Sequence, residues 1–156
     1  MASNLCNTTH AVAFVHKYKV DCEKVISEYK LDVPVENILG LAASESEYGK
    51  GRIAGELNNY FSMRAPAPFQ TGQESAQGDP RVIVAKFGSF YQGAQSFSRR
   101  FGDAVRGKKD PREFAQALMA KGYNTGNAKT GGRDGFVNYL IGIINAVKGR
   151  LSCSPG

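Results

Sequence analysis

The sequence predicts an α+β fold, mostly helical, with one small β-hairpin lobe inserted near the middle. Three observations point to it. Apolar residues recur at helical spacing in five segments spread along the chain, a single β-branched run (RVIVAKF) follows a turn signal, and the stretch before that run is poor in helix formers. At 156 residues and 42% hydrophobic content the chain can bury one sizeable core, so residues 1–156 read as one domain.

Val12, Val15, Cys22, Val25, Ile26 and Tyr29 mark a first helix from about Thr9 to Tyr29, with Thr8 or Thr9 available as its cap. A second helix opens near Pro34, where proline suits the first helical position and Glu36 can close a capping interaction. It runs through NILGLAASES to the glycines at 49 and 51. The text APAPFQTGQESAQ is irregular or extended, and the turn signal Gly78-Asp79-Pro80 leads into the strand RVIVAKF, so a small hairpin or ribbon is expected. Helical spacing returns from Gln92 to Val105 through Ala94, Phe97 and Phe101. Asp110 caps and Pro111 opens a helix that ends at Gly122, and Phe136, Leu140, Ile143, Ile144 and Val147 mark a final one. Only the extreme ends read as loose.

The formal charge of +6 draws the surface to polyanions such as nucleic acid, acidic lipid or the bacterial envelope. Lys and Arg are spread without a recognition-helix pattern or a stacked aromatic array, so no nucleic-acid partner is expected. No stretch approaches the ~20 apolar residues of a membrane-spanning helix, and no membrane insertion is expected. The opening MASNLCNTTHAVAFVHKY lacks the basic start and long apolar core of an ordinary export signal. Cys6, Cys22 and Cys153 have no metal-type spacing; a staple between termini and three free thiols are both open, and any one pairing leaves a thiol over. His10 and His16 read as ordinary helix residues, and no metal site is expected.

Glycosidic cleavage needs a carboxylic acid held protonated near neutral pH, so the informative feature is a carboxylate on an otherwise apolar helix face. At about 100° per residue, Glu45 lies between the directions of Leu41 and Ile38, whereas Glu47 falls beside Glu36, Gly40 and Ala43. Partial burial disfavours the charged form of such a glutamate, as a general acid requires. The competing reading is a helix-end residue paired with Lys50 or Arg52 across the glycine turn. Glu74, in QTGQES, is a second candidate carboxylate, close enough in sequence to fold back over the helix end. Asn59, Tyr60 and Phe61 in NNYFSMR combine flat ring faces with amides, which suits a pyranose, although core packing of Phe61 and Met63 is an equal reading. Tyr123, after Gly122, can present a hydroxyl to substrate.

The run AASESEYGKG followed by NNYFSMR resembles the paired signature of the bacterial glucosaminidases, glycoside hydrolase family seventy-three. AKFGSFYQGAQSF resembles the family's strand-to-helix landmark, and Gly122-Tyr123-Asn124-Thr125 its last turn. The similarity spans roughly Pro34 to Lys148. It implies a lysozyme-like helical lobe facing a small β-lobe, with Glu45 as the catalytic acid, Glu74 aligned with the second acidic residue, and Tyr123 lining the groove. It also implies hydrolysis of the bond between N-acetylglucosamine and N-acetylmuramic acid in peptidoglycan glycan strands, without a metal or organic cofactor. The departures are Glu47-Tyr48 where the family has Gly-Trp, Ser62-Met63 for Gly-Ile, Phe90 where tyrosine is common, and no Asp-Pro after Thr125.

A bare catalytic domain of this kind looks like a secreted toxin, such as a type VI secretion effector acting in the periplasm of a target bacterium. That reading implies a monomer and an immunity protein that plugs the groove. A muramidase or lytic transglycosylase, and a non-catalytic wall-binding module, are the alternatives.

Overall fold

The helix that opens after Pro34 is the centre of the molecule. The computed structural model describes residues 3–76, 79–123 and 132–155. Their elements are α1 (Ser3–Asn7), α2 (Thr9–Glu28), α3 (Val35–Ser46), α4 (Arg52–Leu57), β1 (Gly72–Ala76), β2 (Asp79–Lys86), α5 (Phe90–Val105), α6 (Pro111–Ala120) and α7 (Gly132–Arg150). Residues Asn37 to Ala43 of α3 are all buried, because a helix apolar on nearly every side must be covered on every side. α2 and α7 pack against it. Gly40 permits the close approach of α7, since a Cβ there would lie 2.7 Å from Ile144 Cγ1 and 3.0 Å from its Cα.

The mostly helical α+β architecture with one antiparallel hairpin is the one the sequence predicts. Helix starts follow local chemistry. Ser89 caps α5 by accepting from the Gln92 amide at 3.1 Å, while Gln92 accepts from the Gly88 amide at 2.8 Å. This cap begins α5 two residues before the expected Gln92. Asp110 caps α6 by accepting from the Arg112 and Glu113 amides, and Pro111 occupies the first turn, where its missing N–H costs nothing. The C-terminal carbonyls of α2 are met from α5's end: Arg106 donates to Lys30 O and Tyr29 O, both at 2.9 Å.

Other features differ from the sequence reading, among them Pro34, which is the N-cap of α3 and not its first helical residue. The N-terminal end is not loose, because Ser3–Asn7 is helical and a Cys6–Cys153 disulfide ties it to the other end of the chain. Cys22 is the thiol left over, fully buried. Arg52–Leu57 forms a short helix that no periodicity of six residues could announce. In the β-lobe, β1 pairs antiparallel with β2, Glu74 opposite Val84, and the register slips between Ser75 and Ala76. On β2's other edge Met63–Ala65 runs antiparallel, through Ala65 N to Ile83 O and Ala85 N to Met63 O, both 3.0 Å.

Candidate active site

Glu45 is the penultimate residue of α3, half-buried where that helix leaves the core. It lines a cleft of about 210 Å³ with Ser46, Arg52, Asn59, Ser62 and Ala76. The helical lobe therefore supplies the carboxylate, and the end of β1 supplies the facing wall. Arg52, one of the cations expected to neutralise Glu45 in the competing reading, pairs with Glu56 at 2.8 Å.

The turn after Glu45 is held by Ser46, a residue that no sequence pattern singles out. Its buried hydroxyl donates to Ala42 O at 2.6 Å and accepts from the Gly49 amide at 2.9 Å, and its carbonyl accepts from Gly51 N at 3.0 Å. A Ser followed at three and five residues by Gly is the only sequence trace of this device. Glu47 and Tyr48 continue the turn at φ 51° and 57°, and Ser62 in the same cleft has φ 51°. Glycine adopts this left-handed conformation freely and other residues at a cost of about 1–2 kcal/mol. The two positions where the glucosaminidase pattern carries glycine, 47 and 62, are thus left-handed here without one.

Asn59 lies in the cleft wall, but its side chain is fully engaged. Nδ2 donates to Met63 O and Ala85 O, and Oδ1 accepts from Met63 N, all at 2.9 Å. One buried amide thereby joins the helical lobe to β2. Tyr60 and Phe61 face inward: Tyr60 is 8% exposed with its hydroxyl 3.2 Å from that of Tyr18, and Phe61 is fully buried, stacked 5.2 Å from Phe97. Of the anticipated sugar platform, Asn59 reaches the cleft, Phe61 forms core, and Tyr60 lines a different cavity.

Tyr123 sits beside Glu45. Its hydroxyl donates to Phe61 O at 2.5 Å, and its ring meets Phe101 and Phe97 edge-on at 5.0 and 5.7 Å. Burial, and then the charge of nearby Glu45, push its pKa well above 10.0. Tyr123 is held as a neutral donor to the Phe61 carbonyl, and it is not among the residues that line the Glu45 cleft. Asn124 and Thr125, also part of the last family landmark, lie outside the described residues.

Glu74 is exposed on β1, two residues from the cleft-lining Ala76, about 7 Å along an extended strand. The slip in register after Ser75 separates it from the regular alternation that would aim both side chains alike. Among the described residues no group of three or more His, Cys, Asp or Glu side chains is arranged to hold a metal, and no helix is long and apolar enough to cross a membrane.

Glu45 is thus a half-buried glutamate at the end of a helix, in a cleft that the β-lobe residue Ala76 also lines. The family model described as "Glucosaminidase: Mannosyl-glycoprotein endo-beta-N-acetylglucosaminidase" matches residues 22–149. The fold is similar to a chain in the type VI secretion system effector–immunity complex from Pseudomonas protegens, with 59% identity, 96% of this chain and 99% of that one covered, and a TM-score of 0.86. It is also similar to the peptidoglycan hydrolase of Sphingomonas sp. A1, at 25% identity, 90% and 92% coverage and a TM-score of 0.73. The C-terminally truncated glycoside hydrolase domain of Salmonella typhimurium FlgJ shares the fold at 18% identity, 88% and 97% coverage and a TM-score of 0.59. No curated protein sequence matches. With the family model covering most of the chain, this protein belongs to the glucosaminidase family of glycoside hydrolases.

Proposed function

We propose that this chain is an antibacterial effector that hydrolyses the β-1,4 bond between N-acetylglucosamine and N-acetylmuramic acid in peptidoglycan. The observation that carries the reading is the half-buried Glu45 at the end of α3, in a cleft that Ala76 of the β-lobe also lines, in a glucosaminidase-family chain. Similarity to a chain of an effector–immunity complex supports delivery by a type VI apparatus into a target periplasm. It equally supports a dedicated immunity protein that occupies the cleft of a monomeric enzyme.

In the reaction Glu45 gives its proton to the glycosidic oxygen as that oxygen leaves C1 of the glucosamine, and the muramic O4 departs as a hydroxyl. Water completes the hydrolysis at C1 and restores the proton. Glu74 is the candidate to assist this second stage from the β-lobe, and the substrate's own acetamide oxygen is the alternative nucleophile. Tyr123, fixed by the Phe61 carbonyl, stands near Glu45 as a neutral phenol.

Purified peptidoglycan digested with wild type, Glu45→Gln and Glu74→Gln, then reduced with borohydride and read by mass spectrometry, tests the reading. Reduced glucosamine ends from wild type and none from Glu45→Gln are expected. Retained cleavage by Glu74→Gln would assign the second stage to the acetamide. Reduced muramic ends or anhydro products would instead make the protein a muramidase or transglycosylase.

A further inference from the structure

The turn that follows Glu45 borders a second cavity, of about 290 Å³, through Tyr48 and Gly49. Its other walls come from α2 (His10, Phe14, Lys17, Tyr18) and from Tyr60. The aromatic rings are mutually packed: Phe14 lies 5.0 Å from Tyr18, 5.7 Å from Tyr48 and 6.2 Å from Tyr60. Gly49 borders the space at φ 84°, a conformation that side chains rarely adopt, and a Cβ there would make ordinary contact with Phe14 at 3.4 Å and Tyr60 at 3.5 Å.

The cavity has a polar edge as well as an aromatic floor. The Tyr18 and Tyr60 hydroxyls bond to each other, and His10 Nε2 is 2.8 Å from Tyr48 O. The exposed Lys17 ammonium stands 5.3 Å from the centre of the Tyr18 ring, and among the described residues no carboxylate forms an ion pair with it. The α2 residues that form this wall precede residue 22, where the family match begins. The cavity is therefore built largely by a part of the chain outside the matched glucosaminidase region.

Flat rings suit the C–H face of a pyranose, paired phenols can exchange their mutual bond for sugar hydroxyls, and an unpaired ammonium suits a carboxylate. The volume is at the small end for ligand sites, enough for about one sugar unit. We propose that this cavity is a saccharide-binding site, separate from the Glu45 cleft, for a sugar ring that carries a carboxylate. Muramic acid units of the glycan strand have that chemistry, so the assignment rests on the peptidoglycan reading above. The shared turn places the site next to the cleft, where it would hold the strand while Glu45 works on a neighbouring bond.

The test is titration of the ¹⁵N-labelled protein with N-acetylmuramic acid and, separately, N-acetylglucosamine, followed by amide shifts. Two variants accompany it: Ala13→Trp, in which an exposed helix residue at the cavity's edge is enlarged to fill it, and Lys17→Glu. Saturable shifts centred on Gly49 and residues 13–18 are expected, about tenfold weaker affinity for N-acetylglucosamine and for Lys17→Glu, the equivalent of one lost ionic contact, and none in an otherwise unchanged spectrum of Ala13→Trp. Equal affinity in Ala13→Trp, or shifts confined to the Glu45 cleft, would overturn the proposal. Cleaved peptidoglycan with no shift at Gly49 sinks this site alone. Shifts that vanish in Ala13→Trp, from a protein that cleaves no peptidoglycan, keep the site and sink the hydrolase reading.

Discussion

Replacing both Cys6 and Cys153 by serine should lower stability by several kilocalories per mole. The bridge joins residues 147 apart and so closes nearly the whole chain into a loop. Applied to a loop of that length, the chain-entropy relation gives about 5 kcal/mol at 25 °C, and measured disulfides more often deliver about 2–4 kcal/mol. A loss inside that measured range is expected, because other contacts hold the same ends together in the folded state and removing the bridge frees mainly the unfolded chain. Arg150 donates to Leu5 O at 3.3 Å, His16 Nε2 lies 2.8 Å from Cys153 O, and a Cβ on Gly149 would be 2.5 Å from Leu5 Cδ1, a measure of how tightly α1 lies on α7. For a domain of this size 1 kcal/mol moves Tm by about 2–4 °C, so a loss of about 3 kcal/mol is a fall of roughly 6–12 °C. Thermal unfolding of the oxidised protein, the reduced protein and the double serine variant measures it, and the last two should coincide. A Tm within 2 °C of wild type in the serine variant would mean that the bridge does not restrict the unfolded chain, and the loop argument would fail.

Asn59→Ala removes two bonds to Met63 and one to Ala85 of β2 and leaves Met63 N and Ala85 O unsatisfied, a loss of about 2–4 kcal/mol. Urea unfolding should report it, and unchanged stability with only a raised KM would restore Asn59 as a substrate contact. Gly40→Ala forces α3 away from Ile144, and overpacking of about 1–3 kcal/mol should outweigh the gain of about 1 kcal/mol in helix propensity; a raised Tm would refute the close approach. Alkali should destabilise the fold. Tyr60 is pushed from 10.0 to about 12 by burial and then by the Tyr18 bond, and burial also raises Tyr123 and Cys22. The folded state holds these protons after the unfolded state has lost them, so their stabilisation is complete below about pH 9 and fades as pH rises through 10–12. A Tm that stays flat from pH 8 to 11 would contradict this.

Helices α2, α3, α5, α6 and α7 were legible in the sequence because their cause is local: apolar spacing sets the buried face, and Ser89 or Asp110 beside Pro111 sets the start. Glu45 was legible for the same reason, since one helical projection distinguishes it from Glu47. What the sequence left open lies where no period exists. Asn59, Tyr60 and Phe61 occupy a loop, and whether a loop amide binds sugar or backbone depends on β2, which arrives some 25 residues later in the chain with the Ala85 carbonyl. The partner of Cys6 depended on where α7 ends, and the role of Ser46 on a turn whose residues take left-handed angles without glycine. By itself the sequence determined the five longer helices, the hairpin and the half-buried position of Glu45. Only the tertiary structure decided which polar groups are consumed by packing, because that choice is made by the unsatisfied donors and acceptors that other segments bring to the same place.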